Sequence, residues 1–195
     1  MRRTAERAID PNSTRPGDVT AYFGLQPALS TTGHARHAFA LLAEGNVAQA
    51  QEAARKAWHG GVLPRDDEDR LLRSFASALT PRDYDLRMER LLADRDLQSA
   101  FRTLPYTSPS RRALFDARLA MQMNSTDAAA RLAALGTAAK GDAGVIMDRA
   151  NWLRNTNQSL AARSLLARPR TLVSKPIDAE QWYETLLTMA RGAEA

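Results

Sequence analysis

Leu42-Ala43-Glu44-Gly45-Asn46-Val47-Ala48-Gln49-Ala50 is the stretch whose reading decides the fold. An apolar residue stands eight positions before an alanine, and the polar group Glu44-Gly45-Asn46 lies between them. Glycine and asparagine close a helix. A small alanine in the returning segment lets a second helix come close to the first. The same shape recurs over Leu92 to Ala100, Met121 to Ala129 and Leu153 to Ala161, at intervals of 50, 29 and 32 residues. That is near the ~34-residue period of tetratricopeptide-like helical hairpins. The expectation is an all-α fold, a superhelical stack of antiparallel helix pairs (an α-solenoid, tetratricopeptide-like).

The flanking text carries the same signals. Thr80-Pro81-Arg82-Asp83 places threonine at an N-cap, proline at the first helical position and an acid at the third. Asp178-Ala179-Glu180-Gln181 reads as a capping box, and Ser108-Pro109 as a similar start with a weaker third position, Arg111. Stops fall at Gly45-Asn46, Gly60-Gly61, Pro105, Gly136, Gly141 and Pro169. Apolar stripes at helical spacing run through Phe39, Leu42 and Ala43, through Leu71, Leu72 and Phe75, and through Leu114, Phe115, Leu119 and Met123. Each helix is short and one-sided, so each needs neighbours to be stable. Residues 1–31 read as a flexible lead-in, polar and broken by Pro11, Pro16 and Gly17, and residues 32–195 as one α-superhelical domain.

Composition agrees. Of 195 residues, 36 are alanine, while valine and isoleucine together fill only 8 positions, too few for the buried face of a sheet. Arginine supplies 24 of the 27 basic residues, and the net charge is +5. Cysteine is absent, which excludes disulfides and thiolate metal sites. No apolar run reaches the ~20 residues that span a bilayer, so no transmembrane segment is expected. The basic start Met1-Arg2-Arg3 leads into Asp10-Pro11-Asn12-Ser13 and not into the apolar core of a secretory signal. The expected compartment is the periplasm if a signal has been removed, and the cytoplasm otherwise.

Few residues invite chemistry. His34 and His37 share a helix face, but no carboxylate at motif spacing completes a metal set, and His59 is the remaining histidine. Asp66-Asp67-Glu68-Asp69 opens a helix after Pro64, where acids complement the helix dipole. Phosphate-cradling glycine motifs and nucleophile motifs are missing. No catalytic, cofactor-binding or metal residue is therefore assigned, and no cofactor is expected. Trp58, Trp152 and Trp182 read as pins between helix pairs. Arg111, Arg112 and Arg118 form one basic cluster, and Arg163, Arg168 and Arg170 another. Elsewhere signs alternate, as from Arg82 through Asp83, Asp85, Arg87 and Glu89 to Arg90, which suits a solvated face and argues against nucleic acid as the partner.

In their order along the chain, several stretches resemble one family. Phe39 to Ala50 followed by Ala57-Trp58-His59-Gly60-Gly61-Val62-Leu63, then Asp67 to Phe75 and Ala78 to Asp85, is similar to the superhelical domain of bacterial soluble lytic murein transglycosylases. So is Met147 to Arg154, with its Trp152-Leu153-Arg154, and Pro176 to Glu184, with Trp182-Tyr183. The resemblance covers about residues 32 to 193. It implies a helical solenoid ahead of a lysozyme-like domain that cleaves murein glycan to a 1,6-anhydro end. The Glu-Ser, Gly-Leu-Met-Gln and Ala-Tyr-Asn-Ala-Gly motifs of that catalytic domain do not occur in this chain, so no residue inherits the catalytic role. The implied activity is non-catalytic: positioning peptidoglycan glycan strands, or a protein partner, in the concave groove. The alternative is a free-standing helical-repeat adaptor for proteins. The ending Arg191-Gly192-Ala193-Glu194-Ala195 lacks the polar cap of a finished solenoid, which suggests an incomplete one and leaves an oligomer open.

Overall fold

A computed structural model describes residues 1–173 and 175–191. The ending Gly192 to Ala195, read above as uncapped, lies outside the described residues. Twelve α-helices and no strand occur among the described residues, so the chain is all-α. It divides into two compact units, Met1–Arg90 and Leu91–Ala195.

The first unit carries α1 (Arg2–Ala8), α2 (Pro16–Leu25), α3 (Thr31–Ala43), α4 (Val47–His59), α5 (Arg65–Phe75) and most of α6 (Pro81–Ala93). Alanines Ala35, Ala38, Ala50 and Ala54 let α3 and α4 pack closely, around Phe39 and Trp58. Leu71 and Phe75 of α5 complete that core, and the Phe39 and Phe75 rings stack at 6.4 Å between centroids.

The stretch expected to be a flexible lead-in instead holds α1 and α2. Val19 and Phe23, one turn apart on α2, are buried with Ala40 of α3. Glu6 of α1 is fully buried and accepts the backbone N–H groups of Leu29 and Ser30, each at 2.9 Å, and the Ser30 hydroxyl at 2.6 Å. Ser30 in turn caps α3 by accepting the N–H of Gly33 at 2.9 Å. Two short polar helices are thus anchored by one carboxylate and two apolar side chains, a pattern too sparse to stand out as periodicity.

The second unit carries the last turn of α6, then α7 (Leu97–Thr103), α8 (Pro109–Gln122), α9 (Ala128–Ala134), α10 (Ala143–Asn155), α11 (Ser159–Ala167) and α12 (Ala179–Arg191). Ala120 and Met121 of α8 pack on Ala128 of α9 and Val145 of α10. Ala150 and Leu153 of α10 meet Ala162 of α11 and Met189 of α12.

One closure is used four times. At the ends of α3, α6, α8 and α10 a residue in the left-handed region stops the helix: Gly45 (φ 79°), Arg95 (φ 58°), Asn124 (φ 52°) and Asn157 (φ 61°). The next residue returns its N–H five positions back: Asn46 to Leu41, Asp96 to Leu91 and Ser125 to Ala120, each at 2.9 Å, and Gln158 to Leu153 at 2.7 Å. These are Schellman closures, which satisfy carbonyls that the helix end leaves free. Each is followed by a returning helix with a fully buried alanine: Ala50, Ala100, Ala128 and Ala162. In the last two hairpins the sequence pattern points to Ala129 and Ala161, which are exposed. In the third hairpin the buried alanine follows the left-handed residue by four positions and not five. In the fourth the spacing is again five, but Leu153, which anchors the pattern, stands four positions before Asn157 and not three. One residue rotates a helical side chain by about 100°.

The caps follow expectation unevenly. Thr80 and Asp83 bond reciprocally, with the Thr80 N–H and hydroxyl each donating to Asp83 at 2.7 Å and the Asp83 N–H donating to Thr80 Oγ1 at 3.4 Å. Asp178 accepts the Gln181 N–H at 2.9 Å. Ser108 makes no side-chain cap on α8.

Candidate functional site

The residues singled out by type are mostly absorbed by structure. His34 and His37 lie on α3, half-buried, with the His37 ring 5.1 Å from that of Phe23. Burial holds both imidazoles below the ordinary histidine value, assisted by nearby Lys56. No group of three or more potential metal ligands exists among the described residues.

The acidic opening of α5 is more than a dipole partner. Asp67 pairs with Arg36, and Asp69 with Arg65 at 3.0 Å. Glu68 is buried and meets Arg87 at 2.9 Å. Arg87 is fully buried, donates to the carbonyls of Trp58 and Gly61, and lies 4.0 Å above the Trp58 ring. The stretch from Arg82 to Arg90, read as a solvated face, therefore buries Asp83, Asp85 and Arg87. Alternating signs look alike in sequence whether they face water or each other.

In the second unit Arg118 is likewise consumed. Its Nε donates to Asp148 at 2.7 Å, and Gln122 Nε2 donates to the other carboxylate oxygen at 2.7 Å and to the Leu92 carbonyl at 2.9 Å. Burial pushes the Asp148 carboxyl up, against the pull of Arg118, Gln122 and Arg95. This network ties α8 to α10. Arg111 lies over the Phe115 ring at 4.6 Å, and Arg112 donates to the Thr107 carbonyl at 2.7 Å. Trp58 and Trp182 are buried.

What remains is a groove of about 800 Å³ within the second unit, between α9, α10, α11 and the segment Arg168–Thr171 that follows α11. Leu132, Val145, Ile146, Trp152 and Leu165 form an apolar floor of buried and half-buried side chains. Lys140, Arg149 and Arg168 are exposed along it, and Arg170 is half-buried. Among the described residues no aspartate, glutamate or histidine lines it. Arg170 donates to the Leu165 and Arg168 carbonyls, yet its Nη1 is buried without a hydrogen-bond partner.

The wall beyond Arg170 is held by backbone. Val173 N–H donates to the Gly141 carbonyl at 2.9 Å, and Gly141 adopts a φ of 81°. A Cβ at Gly141 would lie 2.8 Å from the Thr171 carbonyl oxygen, so only glycine admits this approach.

A site of this volume is within the range of small-ligand pockets, roughly 300–1,000 Å³. Its chemistry is that of an anion receptor over an apolar surface. Arg168, Arg170 and Trp152 were visible in the sequence as a cluster and as an aromatic; Lys140 and Arg149 were not, because they are far apart along the chain and are brought to one rim only by packing.

Comparison with protein-family models, with curated proteins and with solved structures finds no match in any of the three.

Proposed function

We propose that the chain is a non-catalytic helical-repeat binding module, its helix pairs stacked as an α-solenoid of the tetratricopeptide-like kind, with the groove of the second unit as its binding surface. Four hairpins closed by the same motif support the repeat reading. The observation that carries the binding reading is the groove: among the described residues, four cations and no acid around an apolar floor. On the resemblance to the superhelical domain of lytic murein transglycosylases, the ligand is the murein glycan strand. Its lactyl-peptide carboxylates would oppose the cations, and a net charge of +5 would add long-range attraction.

Sedimentation with insoluble murein tests this reading. The chain is expected to pellet at low salt, to be released as salt screens the attraction, and to liberate no soluble anhydro-muropeptides. A chain that stays in the supernatant at low salt removes murein as the ligand. The second reading, a free-standing protein-interaction adaptor, is favoured by the apolar floor. It predicts one stoichiometric protein partner on co-purification, and a pull-down without one counts against it.

A further inference from the structure

We propose that the groove of the second unit is a specific site for a small anionic amphiphile: one carboxylate or phosphate head on an aliphatic body. The proposal rests on reading the groove as a binding site, and it is independent of murein.

Two observations fix the ligand's two halves. The head must be anionic. Arg170 uses its Nη2 on two carbonyls and its Nε on one of them, while its Nη1 is buried with no partner. That Nη1 is closed off by protein, so Arg170 adds its charge to the groove while the exposed cations around it supply the contacts. Lys140, Arg149 and Arg168 surround the same groove, and none of them forms an ion pair among the described residues. Four cations with no lining carboxylate among the described residues repel cationic ligands and leave neutral ones without electrostatic gain. The body must be apolar. Leu132, Val145, Ile146 and Leu165 present only hydrocarbon, which an aliphatic body covers without taking water from any polar group of its own.

The groove is also built to keep its shape. The Gly141–Val173 hydrogen bond pins the far wall, and the carbonyls of Leu165 and Arg168 fix the Arg170 fork. Such preorganisation reduces the entropy lost on binding.

The test uses the full chain and titrates octyl, decyl and dodecyl phosphate, and dodecanoate, below their micellar concentrations. Calorimetry gives the stoichiometry, and tryptophan emission, with Trp152→Phe as the assignment control, gives the location. Expected are one site per chain, binding that weakens with salt, and affinity that rises about two- to fourfold for each added methylene. Inorganic phosphate and dodecyl maltoside should each bind at least tenfold more weakly than dodecyl phosphate. Arg170→Gln removes one charge of the same field and should lose severalfold. Lys140→Gln with Arg149→Gln removes charge without touching any ion pair among the described residues; it should lose severalfold, and it decides the matter if Arg170→Gln fails to fold. Binding of either head group on these terms supports the site and names the head. Equal binding of dodecyl maltoside, an affinity independent of chain length, or unchanged affinity in the Lys140/Arg149 double variant overturns it. Dodecyl phosphate binding without murein retention leaves this site standing and removes only murein.

Discussion

Glu6 concentrates the chemistry of the first unit in one carboxylate. Burial by itself would raise its pKa; the Ser30 hydroxyl, the Leu29 and Ser30 N–H groups and Arg2 at 3.7 Å more than reverse that, and it lies below the ordinary value of 4.5. A lowered folded value means that the unfolded chain takes up the proton first as pH falls. The stabilisation is therefore complete above about pH 4.5 and is lost as pH drops through the folded value. Glu6→Gln should cost about 1–3 kcal/mol at neutral pH, and that cost should shrink as pH falls below about 4.5 and through the folded value, read from urea midpoints across that range. Asp148 presents the opposite balance, a carboxyl raised by burial beside a buried arginine. Arg118→Met takes the ion-pair partner from that buried carboxylate, leaving it the Gln122 hydrogen bond, and should cost roughly 3–5 kcal/mol. The double variant Arg118→Met with Asp148→Leu should cost much less than the two changes summed, a coupling that a double-mutant cycle measures.

Among elements, the hairpin closures are the recurring unit. Gly45 holds a φ of 79° with open space around its Cβ position, so Gly45→Ala should cost only the left-handed backbone penalty, about 1–2 kcal/mol. Asn157→Gly at the equivalent place should be neutral or stabilising by a few tenths of a kcal/mol. Thermal unfolding of the two variants side by side would reveal whether one closure serves both hairpins. The buried alanines set how closely the paired helices approach. Ala50→Leu forces a larger side chain between α3 and α4 and should cost about 1–3 kcal/mol, whereas the same change at exposed Ala129 should leave the melting point almost unmoved. Had the sequence pattern alone been right, Ala129 would be the sensitive position of its hairpin.

On the scale of the whole molecule, the question is whether binding follows total charge or its placement. Lys140, Arg149 and Arg168 changed together to glutamine lower the net charge by three at the groove. Arg3, Arg73 and Arg82, exposed in the first unit, changed together lower it by the same amount elsewhere. Retention on murein at low salt should fall strongly in the groove variant and little in the other. Equal losses would mean that the long-range field acts alone, since at low salt (a Debye length of ~30 Å at 0.01 M) charges add to the net attraction wherever they stand.

Local chemistry determined much of this protein from sequence alone. Alanine and leucine in place of β-branched residues imposed helices, Thr80-Pro81 and Asp178 started two of them, and Gly45-Asn46 marked a hairpin, because caps and turns depend on residues a few positions apart. Tertiary structure decided the rest. Whether Arg87 and Arg118 met water or a buried acid, which alanine of each hairpin faced its partner, and that residues 2–25 packed as helices on α3 all depended on neighbours distant in the chain. The groove is of the same kind: Lys140, Arg149 and Arg170 became one cationic rim only when α10 and the segment after α11 folded beside α9, since electrostatic fields add in space and not along the sequence.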